Sequence, residues 1–262
     1  MSLLDRFRVD GKVAIVTGAG RGIGAASALA LAEAGADVAI TARSADQLEE
    51  VATAIRGFGR RAFVLPGDVN KLDFLEEFAA AAIDDLGRVD IVVNNAGGSP
   101  PAAITDVTAK SFETAFHFNV TTALVLTQAC IPQLVEHHGC VVNISSMAGR
   151  TAARGLTQYG VAKAALSHLT RYLATDLNPK VRVNGIAVGS TATSALETVL
   201  TMPEIRDAMI ANTPLRFIGE PEDIALGVLY LSSPAARYMT GKIIEIDGGT
   251  ESSTLDIPIP DF

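Results

Sequence analysis

Residues 12–24 read KVAIVTGAGRGIG, an apolar run that passes directly into a glycine-rich turn. The run over 12–16 is short and bounded by glycine and threonine, which predicts a buried strand. The Ala- and Leu-rich stretch after the turn predicts a helix that extends to about Ala34. Glycines at a strand-to-helix turn allow a positive φ and a close approach of the backbone to phosphate. The stretch therefore predicts a phosphate-binding turn in an α/β fold.

The glycines of this turn have the spacing Gly-x-x-x-Gly-x-Gly, at Gly18, Gly22 and Gly24. The strict dinucleotide fingerprint is Gly-x-Gly-x-x-Gly, and Ile23 stands where its last glycine would be in a frame that starts at Gly18. We expect these four residues to contact a bound nucleotide. A merely flexible turn is the alternative, and the strand before it and the helix after it argue against that.

The end of the second predicted strand, residues 37–41, bears on the choice of nucleotide. Enzymes that use NAD usually carry an acidic residue here to hold the ribose 2′-hydroxyl. This chain has Ala42 and Arg43 instead. The Arg43 guanidinium suits a 2′-phosphate, and Arg21 in the glycine turn lies within reach of the same group. The pattern favours NADP(H) with NAD(H) possible, although either arginine alone is often just solvated.

A second constellation consists of Ser146, Tyr159 and Lys163. It follows an apolar strand at 140–144, and the tyrosine and lysine stand four residues apart on a predicted helix, hence on one face. A nearby ammonium favours phenolate, so we expect Lys163 to lower the pKa of Tyr159 and make it a general acid and base. Ser146 would present its hydroxyl to the same substrate oxygen. A Tyr-x-x-x-Lys pair alone also occurs by chance in many helices.

The rest of the chain alternates strand-like runs with Ala-rich helical stretches, which predicts parallel βαβ units. Its 262 residues, with 48% hydrophobic side chains and no linker or repeat, predict one α/β domain over 1–262. The fold class is a doubly wound parallel sheet with helices on both faces. Seven strands are predicted, at 12–16, 37–41, 61–65, 89–93, 140–144, 181–187 and 242–246.

These motifs together resemble those of the short-chain dehydrogenase/reductase family. They are TGAGRGIG at 17–24, NNAG at 94–97, Asn119, Ser146 and YGVAK at 159–163, all in the family's order. The resemblance covers about residues 9–250 and implies a Rossmann-type fold. It also implies an NAD(P)-dependent oxidoreductase that interconverts a ketone and a secondary alcohol.

The resemblance implies a role for each catalytic candidate. Tyr159 is the proton donor and acceptor, Lys163 also holds the nicotinamide ribose, and Ser146 orients the substrate oxygen. Asn119 supports a water-linked proton relay behind Lys163. Ser145 is the rival serine, but the family's spacing to the tyrosine selects Ser146.

The resemblance further implies cofactor contacts along three loops. Asp68 and Val69 lie against adenine, and the loop after the sixth strand meets the nicotinamide. In that loop Val188 replaces the family's usual proline, which predicts a freer backbone. The remaining implied contacts are Asn95, Ala96, Gly97, Gly189, Thr191 and Thr193, with Tyr159 and Lys163. Asn94 and Asn95 have a structural alternative, because asparagine commonly ends a strand.

The substrate side is predicted less sharply. A helical, mostly apolar segment at about 190–214 would act as a lid, and helical spacing of apolar residues equally means packing. Its apolar residues are Leu196, Val199, Leu200, Met202, Ile205 and Met209. The pattern looks closest to hydroxysteroid dehydrogenases and 3-oxoacyl reductases, and the absence of a dense basic docking patch favours a free hydrophobic ketone or alcohol. Arg154 is expected to be solvated rather than to bind a substrate anion.

Composition bounds the other functions. The net charge of −8 argues against nucleic-acid binding, and no apolar run approaches the length of a membrane span. Without a signal-peptide core, and with Cys130 and Cys140 expected as reduced core residues, we expect a cytoplasmic protein without a metal. The family resemblance implies a homodimer or homotetramer, with Ala162, Ala165 and Leu169 compatible with an interface or with internal packing.

Two further expectations complete the sequence analysis. The tail, about 251–262, is rich in proline and isoleucine near its end, and we expect it to dock on a partner subunit. A non-catalytic nucleotide-binding regulatory protein on the same fold is the alternative to an enzyme. Such a protein would be expected to lose Ser146, Tyr159 or Lys163, and all three are present.

Overall fold

The computed structural model describes residues 2–193, 196, 201–255, 257 and 259. Within them, seven strands form one sheet in the order β3-β2-β1-β4-β5-β6-β7, and all the pairs are parallel. The strands are β1 (Val13–Thr17), β2 (Asp37–Thr41), β3 (Ala62–Val64), β4 (Ile91–Asn94), β5 (Cys140–Ser146), β6 (Arg182–Val188) and β7 (Ile243–Ile246). The predicted doubly wound sheet is confirmed.

Helices cover both faces of the sheet. Leu31, Leu48 and Leu231 belong to the core on one face, and Phe78, Leu126 and Leu173 to the core on the other. The helices are α1 (Gly22–Glu33), α2 (Ala45–Gly57), α3 (Leu72–Leu86), α4 (Ala109–Phe116), α5 (Thr122–Glu136), α6 (Thr157–Leu177), α7 (Pro203–Asn212) and α8 (Pro221–Ser232). Because the sheet is covered on both sides, its strands read as continuous apolar runs rather than alternating ones.

The helical stretch Ala109–Glu136 is apolar and long enough to cross a membrane by composition alone. It consists of α4, a π-helical turn at His117–Thr121 and α5. Leu126, Cys130 and Leu134 are fully buried against the sheet. Core packing therefore accounts for its hydropathy.

Strand order decides where the sites lie. Strand order reverses between β1 and β4, the neighbours at the centre of the sheet, and ligands of open α/β sheets bind at the carboxyl ends of strands at such a point. Thr17, Asn94 and Ser146 all end strands at this edge. The fold thus brings the glycine turn and the predicted catalytic residues to one side of the molecule.

Part of the predicted lid is a helix. Met209 on α7 is buried, whereas Met202 just before it is half exposed. Val199 and Leu200, named for the lid, lie outside the described residues.

Candidate active site

The glycine turn after β1 is shaped by two close approaches. Gly18 has φ +64°, and a Cβ on Gly24 would lie 2.2 Å from the Gly18 carbonyl oxygen. Side chains are excluded at both positions, so the first turn of α1 packs directly against the end of β1. The turn leaves the N-terminus of α1 facing the strand edge, which is a favourable place for phosphate.

The turn is held by the end of β4. Asn95 Nδ2 donates to the carbonyl oxygens of Thr17 at 2.9 Å and Gly18 at 3.2 Å. Thr17 Oγ1 accepts the N–H groups of Asn95 at 3.1 Å and Ala96 at 3.0 Å. Sequence reasoning named Asn95 and Ala96 but missed Thr17, whose only signal is a hydroxyl at the strand end.

Asn94 has a structural role at the end of β4, which was the alternative to a cofactor contact. It is buried, and its Nδ2 donates to Asn143 Oδ1 at 2.8 Å and Thr127 Oγ1 at 3.0 Å. It therefore joins β4 to β5 and α5.

The two arginines expected at the nucleotide are exposed. Neither Arg21 nor Arg43 forms an ion pair with another residue that the structure describes. Near the end of β2, a Cβ on Gly20 would lie 3.2 Å from Gln47 Oε1 and 3.3 Å from Ala42 Cβ. Gln47, in the first turn of α2, is thus a polar neighbour of the turn that sequence reasoning missed.

The adenine candidates lie after β3. Val69 is buried in the core, and Asp68 is half-buried. Asp68 Oδ1 accepts the backbone N–H of Asn70 at 3.0 Å, and this bond is the main reason that the pKa of Asp68 is lowered. Arg43 contributes a weaker electrostatic effect in the same direction, which places it on the side of this loop.

The loop after β6 meets the glycine turn. A Cβ on Gly22 would lie 3.5 Å from Thr193 Cγ2. Thr191 is buried and its neighbour Ala192 donates to Gly219 O at 2.7 Å, so the loop is fixed to the segment before α8. A Cβ on Gly189 would lie 2.4 Å from Asp247 Cα, which gives this glycine a packing role.

The replacement of proline by Val188 predicted a freer loop backbone, and the structure shows that this prediction is wrong. It is the last residue of β6, pairs with Ser146 and Ile246, and is 7% exposed. The next residue continues the ladder, since Gly189 N donates to Ile246 O at 3.0 Å.

The serine and tyrosine candidates meet at the end of β5. Ser146 lies at the end of the strand and accepts the Ala148 N–H at 3.2 Å, and its hydroxyl is close enough to Tyr159 to lower the pKa of that phenol. Ser145 points elsewhere, with its hydroxyl 3.0 Å from Lys163 O and 2.7 Å from Ser167 Oγ. The structure thus brings Ser146, and not Ser145, to Tyr159.

Lys163 lies between Tyr159 and the end of β4. Its Nζ is 5.7 Å from the centre of the tyrosine ring and donates to Ile144 O at 2.8 Å. A Cβ on Gly97 would lie 2.9 Å from this Nζ and 2.7 Å from Asn119 Oδ1. Because Gly97 has no side chain, Lys163 Nζ and Asn119 Oδ1 can both lie against its backbone.

Asn119 lies in the π-helical turn and uses its whole amide on the backbone. Its Oδ1 accepts Gly98 N at 2.9 Å, and its Nδ2 donates to Gly98 O at 2.9 Å and Ala115 O at 2.8 Å. A π-turn inside an α-helix is frequent at functional sites. Here it places Asn119 so that it fixes the loop after β4.

The expected effect of Lys163 on Tyr159 is wrong for this structure. Burial raises the pKa of Tyr159, and the hydrogen bond from Ser146 only partly opposes it. Burial also lowers the pKa of Lys163 to about 8, because a desolvated ammonium is costly. The tyrosine therefore keeps its proton near neutral pH.

Arg154 is exposed, as expected of a solvated arginine, and it also has a partner in the chain. Its Nη1 donates to the carbonyl oxygen of Ile259 at 2.9 Å. Gln158, which sequence reasoning missed, is buried and donates from Nε2 to Pro100 O at 3.0 Å. Both contacts lie in the segment just before or beside Tyr159.

This arrangement agrees with comparisons to known proteins. A family model described as enoyl-(acyl carrier protein) reductase matches residues 18–251. The 7α-hydroxysteroid dehydrogenase of Escherichia coli K12 is 42% identical, over 94% of this chain and 96% of its own. The chain belongs to the short-chain dehydrogenase/reductase family. It is accordingly a short-chain NAD(P)-dependent alcohol dehydrogenase or carbonyl reductase, and the non-enzyme alternative is set aside.

Other members of the family that are similar to this chain act on different substrates. A solved 7α-hydroxysteroid dehydrogenase, complexed with NADH and 7-oxo glycochenodeoxycholic acid, superposes with a TM-score of 0.91 at 41% identity, covering 95% of this chain and 98% of its own. An uncharacterised oxidoreductase of Mycobacterium tuberculosis is 51% identical over 99% of this chain and all of its own. The gluconate 5-dehydrogenase of Gluconobacter oxydans is 32% identical over 95% and 98%. Family membership therefore fixes the reaction class but spans several substrates.

Proposed function

We propose that this short-chain dehydrogenase uses NADP(H) to interconvert a ketone and a secondary alcohol on a bulky, hydrophobic, hydroxysteroid-like molecule. The observation that supports it is the meeting of Ser146, Tyr159 and Lys163 beside the glycine turn, at the carboxyl edge of the sheet. The likeness to 7α-hydroxysteroid dehydrogenases in sequence and structure supports the substrate class.

The residues of the chain divide the work as follows. Tyr159 gives its proton to the substrate oxygen during ketone reduction and takes it back during alcohol oxidation. Ser146 donates a hydrogen bond to the same oxygen and so orients it. Lys163 would bind the nicotinamide ribose and pass the proton toward solvent. Asn119 fixes the loop at Gly97 and Gly98 beside this ammonium. The bound nicotinamide dinucleotide supplies or accepts the hydride.

The glycine turn fits such a dinucleotide. Gly18 and Gly24 exclude side chains from the turn, and Asn95 fixes its shape. Gly22, Ile23, Ala96 and Thr193 border the same edge. We assign Asp68 and Val69 to the adenine side and the backbone of Gly189 and Thr191 to the loop that positions the nicotinamide.

The preference for NADP(H) rests on the end of β2. Ala42 provides no carboxylate for a 2′-hydroxyl, and the exposed guanidinium of Arg43 is available for a 2′-phosphate. Arg21 lies in the neighbouring turn. Charge-assisted hydrogen bonds to phosphate are among the stronger polar contacts, so either arginine would contribute measurably to affinity.

The first test is a titration with NADPH and NADH, followed by a panel of ketones with the tighter cofactor. We expect NADPH to bind more tightly, and Arg43→Ala to weaken NADPH by on the order of tenfold while leaving NADH unchanged. Arg56→Ala, an exposed arginine of α2, is the control. Equal binding of both cofactors by the wild type would overturn the NADP(H) assignment.

The panel should contain steroid ketones, acetoacetyl thioesters and simple diketones. Turnover confined to the steroids supports the proposed substrate class. Turnover of the thioesters instead would favour the second candidate, a 3-oxoacyl reductase acting on acyl carrier protein or coenzyme A esters. That candidate is kept because the matching family model carries the name of an acyl carrier protein reductase.

We further propose a homodimer or homotetramer in the cytoplasm. Cys130 and Cys140 are free and buried, which suits a reducing compartment. Ala162 packs inside the chain with Val120 and Leu166, whereas Ala165 and Leu169 on the same helix are only partly buried and remain compatible with an interface.

A further inference from the structure

The chain's C-terminal segment crosses the substrate side of the candidate site. We define the C-terminal strap as residues 250–255, 257 and 259. Arg150, in the loop between β5 and α6, holds its start: Nη2 donates to Thr250 O at 2.5 Å and Nη1 pairs with Glu251 at 2.7 Å. The same guanidinium lies 3.6 Å from Asp247, so the strap leaves β7 already fixed to the loop that follows Ser146.

The middle of the strap is attached to the predicted lid. Thr254 is 3% exposed, and its hydroxyl lies 2.6 Å from Ser190 Oγ. Asn212 Nδ2, at the end of α7, reaches Thr254 O at 3.4 Å. Thr254 therefore joins both ends of the segment at about 190–214.

The far part of the strap returns to the residues before Tyr159. Arg154 holds the carbonyl oxygen of Ile259. A Cβ on Gly155 would lie 2.9 Å from Ile259 Cδ1 and 3.3 Å from Ile257 Cδ1. Gly155 also accepts Ala102 N at 2.9 Å, so the strap, the loop after β4 and the start of α6 meet here. These contacts lie within one chain, whereas the sequence analysis expects the tail to dock on a partner subunit. The co-expression experiment below distinguishes the two arrangements.

We infer that the strap forms a wall of the substrate pocket in its own subunit, with Ile257 and Ile259 as specificity-determining residues for a bulky apolar substrate. The inference deepens the proposed function and rests on it. The strap contacts the loop before Tyr159 at Gly155 and the segment at about 190–214 at Ser190, and these are the two segments expected to border the substrate. Both isoleucines are only half-buried, so each keeps apolar surface beyond its contact with Gly155.

The apolar side chains of the wall favour large substrates over small ones. The strap's polar contacts use its backbone carbonyl groups and the side chains of Glu251 and Thr254, which leaves the isoleucine side chains available to contact a ligand. A steroid-sized ketone has the apolar area to reach them, whereas a four-carbon diketone held at Ser146 and Tyr159 does not. Apolar contact is proportional to area, so the effect of removing the wall depends on substrate size.

The test compares the wild type with Ile257→Ala/Ile259→Ala. We expect KM for a steroid ketone to rise roughly tenfold, with KM for a four-carbon diketone and the Kd of NADPH unchanged within twofold. Arg154→Ala should act in the same direction, and Arg171→Ala, an exposed arginine of α6, is its control. Equal changes for both ketones, or no change, would overturn the inference.

Co-expression tests whether the wall belongs to the same subunit. A chain truncated after Ser253 is paired with a full-length Tyr159→Phe chain, so that only truncated subunits turn over. We expect the raised KM of the truncated protein to persist. Its return to the wild-type value would mean that a partner's tail forms the wall and would overturn the assignment.

A separate measurement distinguishes failure of the proposed function from failure of the inference about the strap. If the wild type reduces no ketone of the panel, the proposed function fails. Calorimetric binding of the steroid ketone to the NADPH-loaded wild type and to the double variant then tests the wall. Affinity lower in the variant supports the inference, and equal affinity, or no binding to either protein, overturns it.

Discussion

At the scale of single residues, Tyr159 decides the chemistry. Its phenol keeps its proton near neutral pH, because burial raises its pKa and the effect of Ser146 only partly opposes this. We expect Tyr159→Phe to lower kcat by about 10²–10⁴-fold, the usual contribution of a general acid, with the Kd of NADPH within twofold. Tyr172→Phe, on the exposed side of the same helix, is the control and should keep full activity. More than about a tenth of wild-type kcat in Tyr159→Phe would refute the assignment.

Lys163 gives a prediction about stability. Its pKa is lowered from 10.5 to about 8 by burial, so the unfolded chain binds this proton more tightly. Burial of this ammonium therefore lowers the free energy of unfolding. The loss is largest below pH 8 and decreases as the pH rises toward 10.5. Lys163→Met should therefore gain stability relative to wild type at pH 7, and the gain should shrink by roughly 1 kcal/mol at pH 9.

Urea unfolding at the two pH values measures this difference. Lys71→Met, at an exposed lysine before α3, is the control, and its difference from wild type should be the same at both pH values. A pH-independent difference for Lys163→Met would show that the ammonium is not destabilised by burial. The loss of the bond to Ile144 O lowers the absolute gain but not its pH dependence.

The identity of the catalytic serine was predictable from the sequence. The family's spacing of serine to tyrosine, which the resemblance implies, selected Ser146 over Ser145. In the structure the Ser145 hydroxyl contacts α6 instead. The pKa of Tyr159 was not predictable in this way. It depends mainly on how deeply the phenol is buried, which does not follow from positions i and i+4.

At the scale of elements, the loop after β4 depends on Gly97. A Cβ there would lie under 3 Å from Lys163 Nζ and Asn119 Oδ1, both ends of side chains that can shift. Gly97→Ala should therefore change the melting temperature little but lower kcat at least tenfold, because the ammonium must move. Gly57→Ala, where a Cβ meets nothing within 4 Å, should leave both unchanged. Wild-type kcat in Gly97→Ala would refute the placement of Lys163.

Strands were predicted within about two residues, because buried parallel strands are short apolar runs. The π-turn at His117–Thr121 was not, since the sequence there reads as ordinary helix. The partner of Arg154 was also missed. A contact between residues 154 and 259 joins distant parts of the chain, and only the folded strap brings them together.

At the scale of the whole molecule, the alternation of strands and helices predicts a parallel sheet, and the handedness of βαβ crossovers limits the possible strand orders without choosing one. The Rossmann-type fold that the family resemblance implies, and that the structure shows, places the glycine turn next to the end of β4. The closure of the substrate side did not follow. It depends on Arg150, Thr254 and Arg154, which belong to no motif.

The edge of the sheet provides the last prediction. β7 has a neighbouring strand on one side within the described chain, and its residues are at most half-buried. Beside it, Leu226 on α8 is 64% exposed and Tyr238 is fully exposed. An open apolar strand edge invites pairing, and a second copy of the chain covers it in our proposed homo-oligomer.

We therefore expect the wild type to sediment as a dimer or tetramer, and Leu226→Arg/Tyr238→Arg to sediment with a lower mass. The two arginines place like charges opposite each other across a symmetric contact, where burial of an unpaired charge is costly. Val161→Arg/Tyr172→Arg, at exposed positions of α6, is the matched comparison and should keep the mass. If the α6 variant dissociates and the α8 variant does not, the contact runs through α6, and β7 remains an open edge.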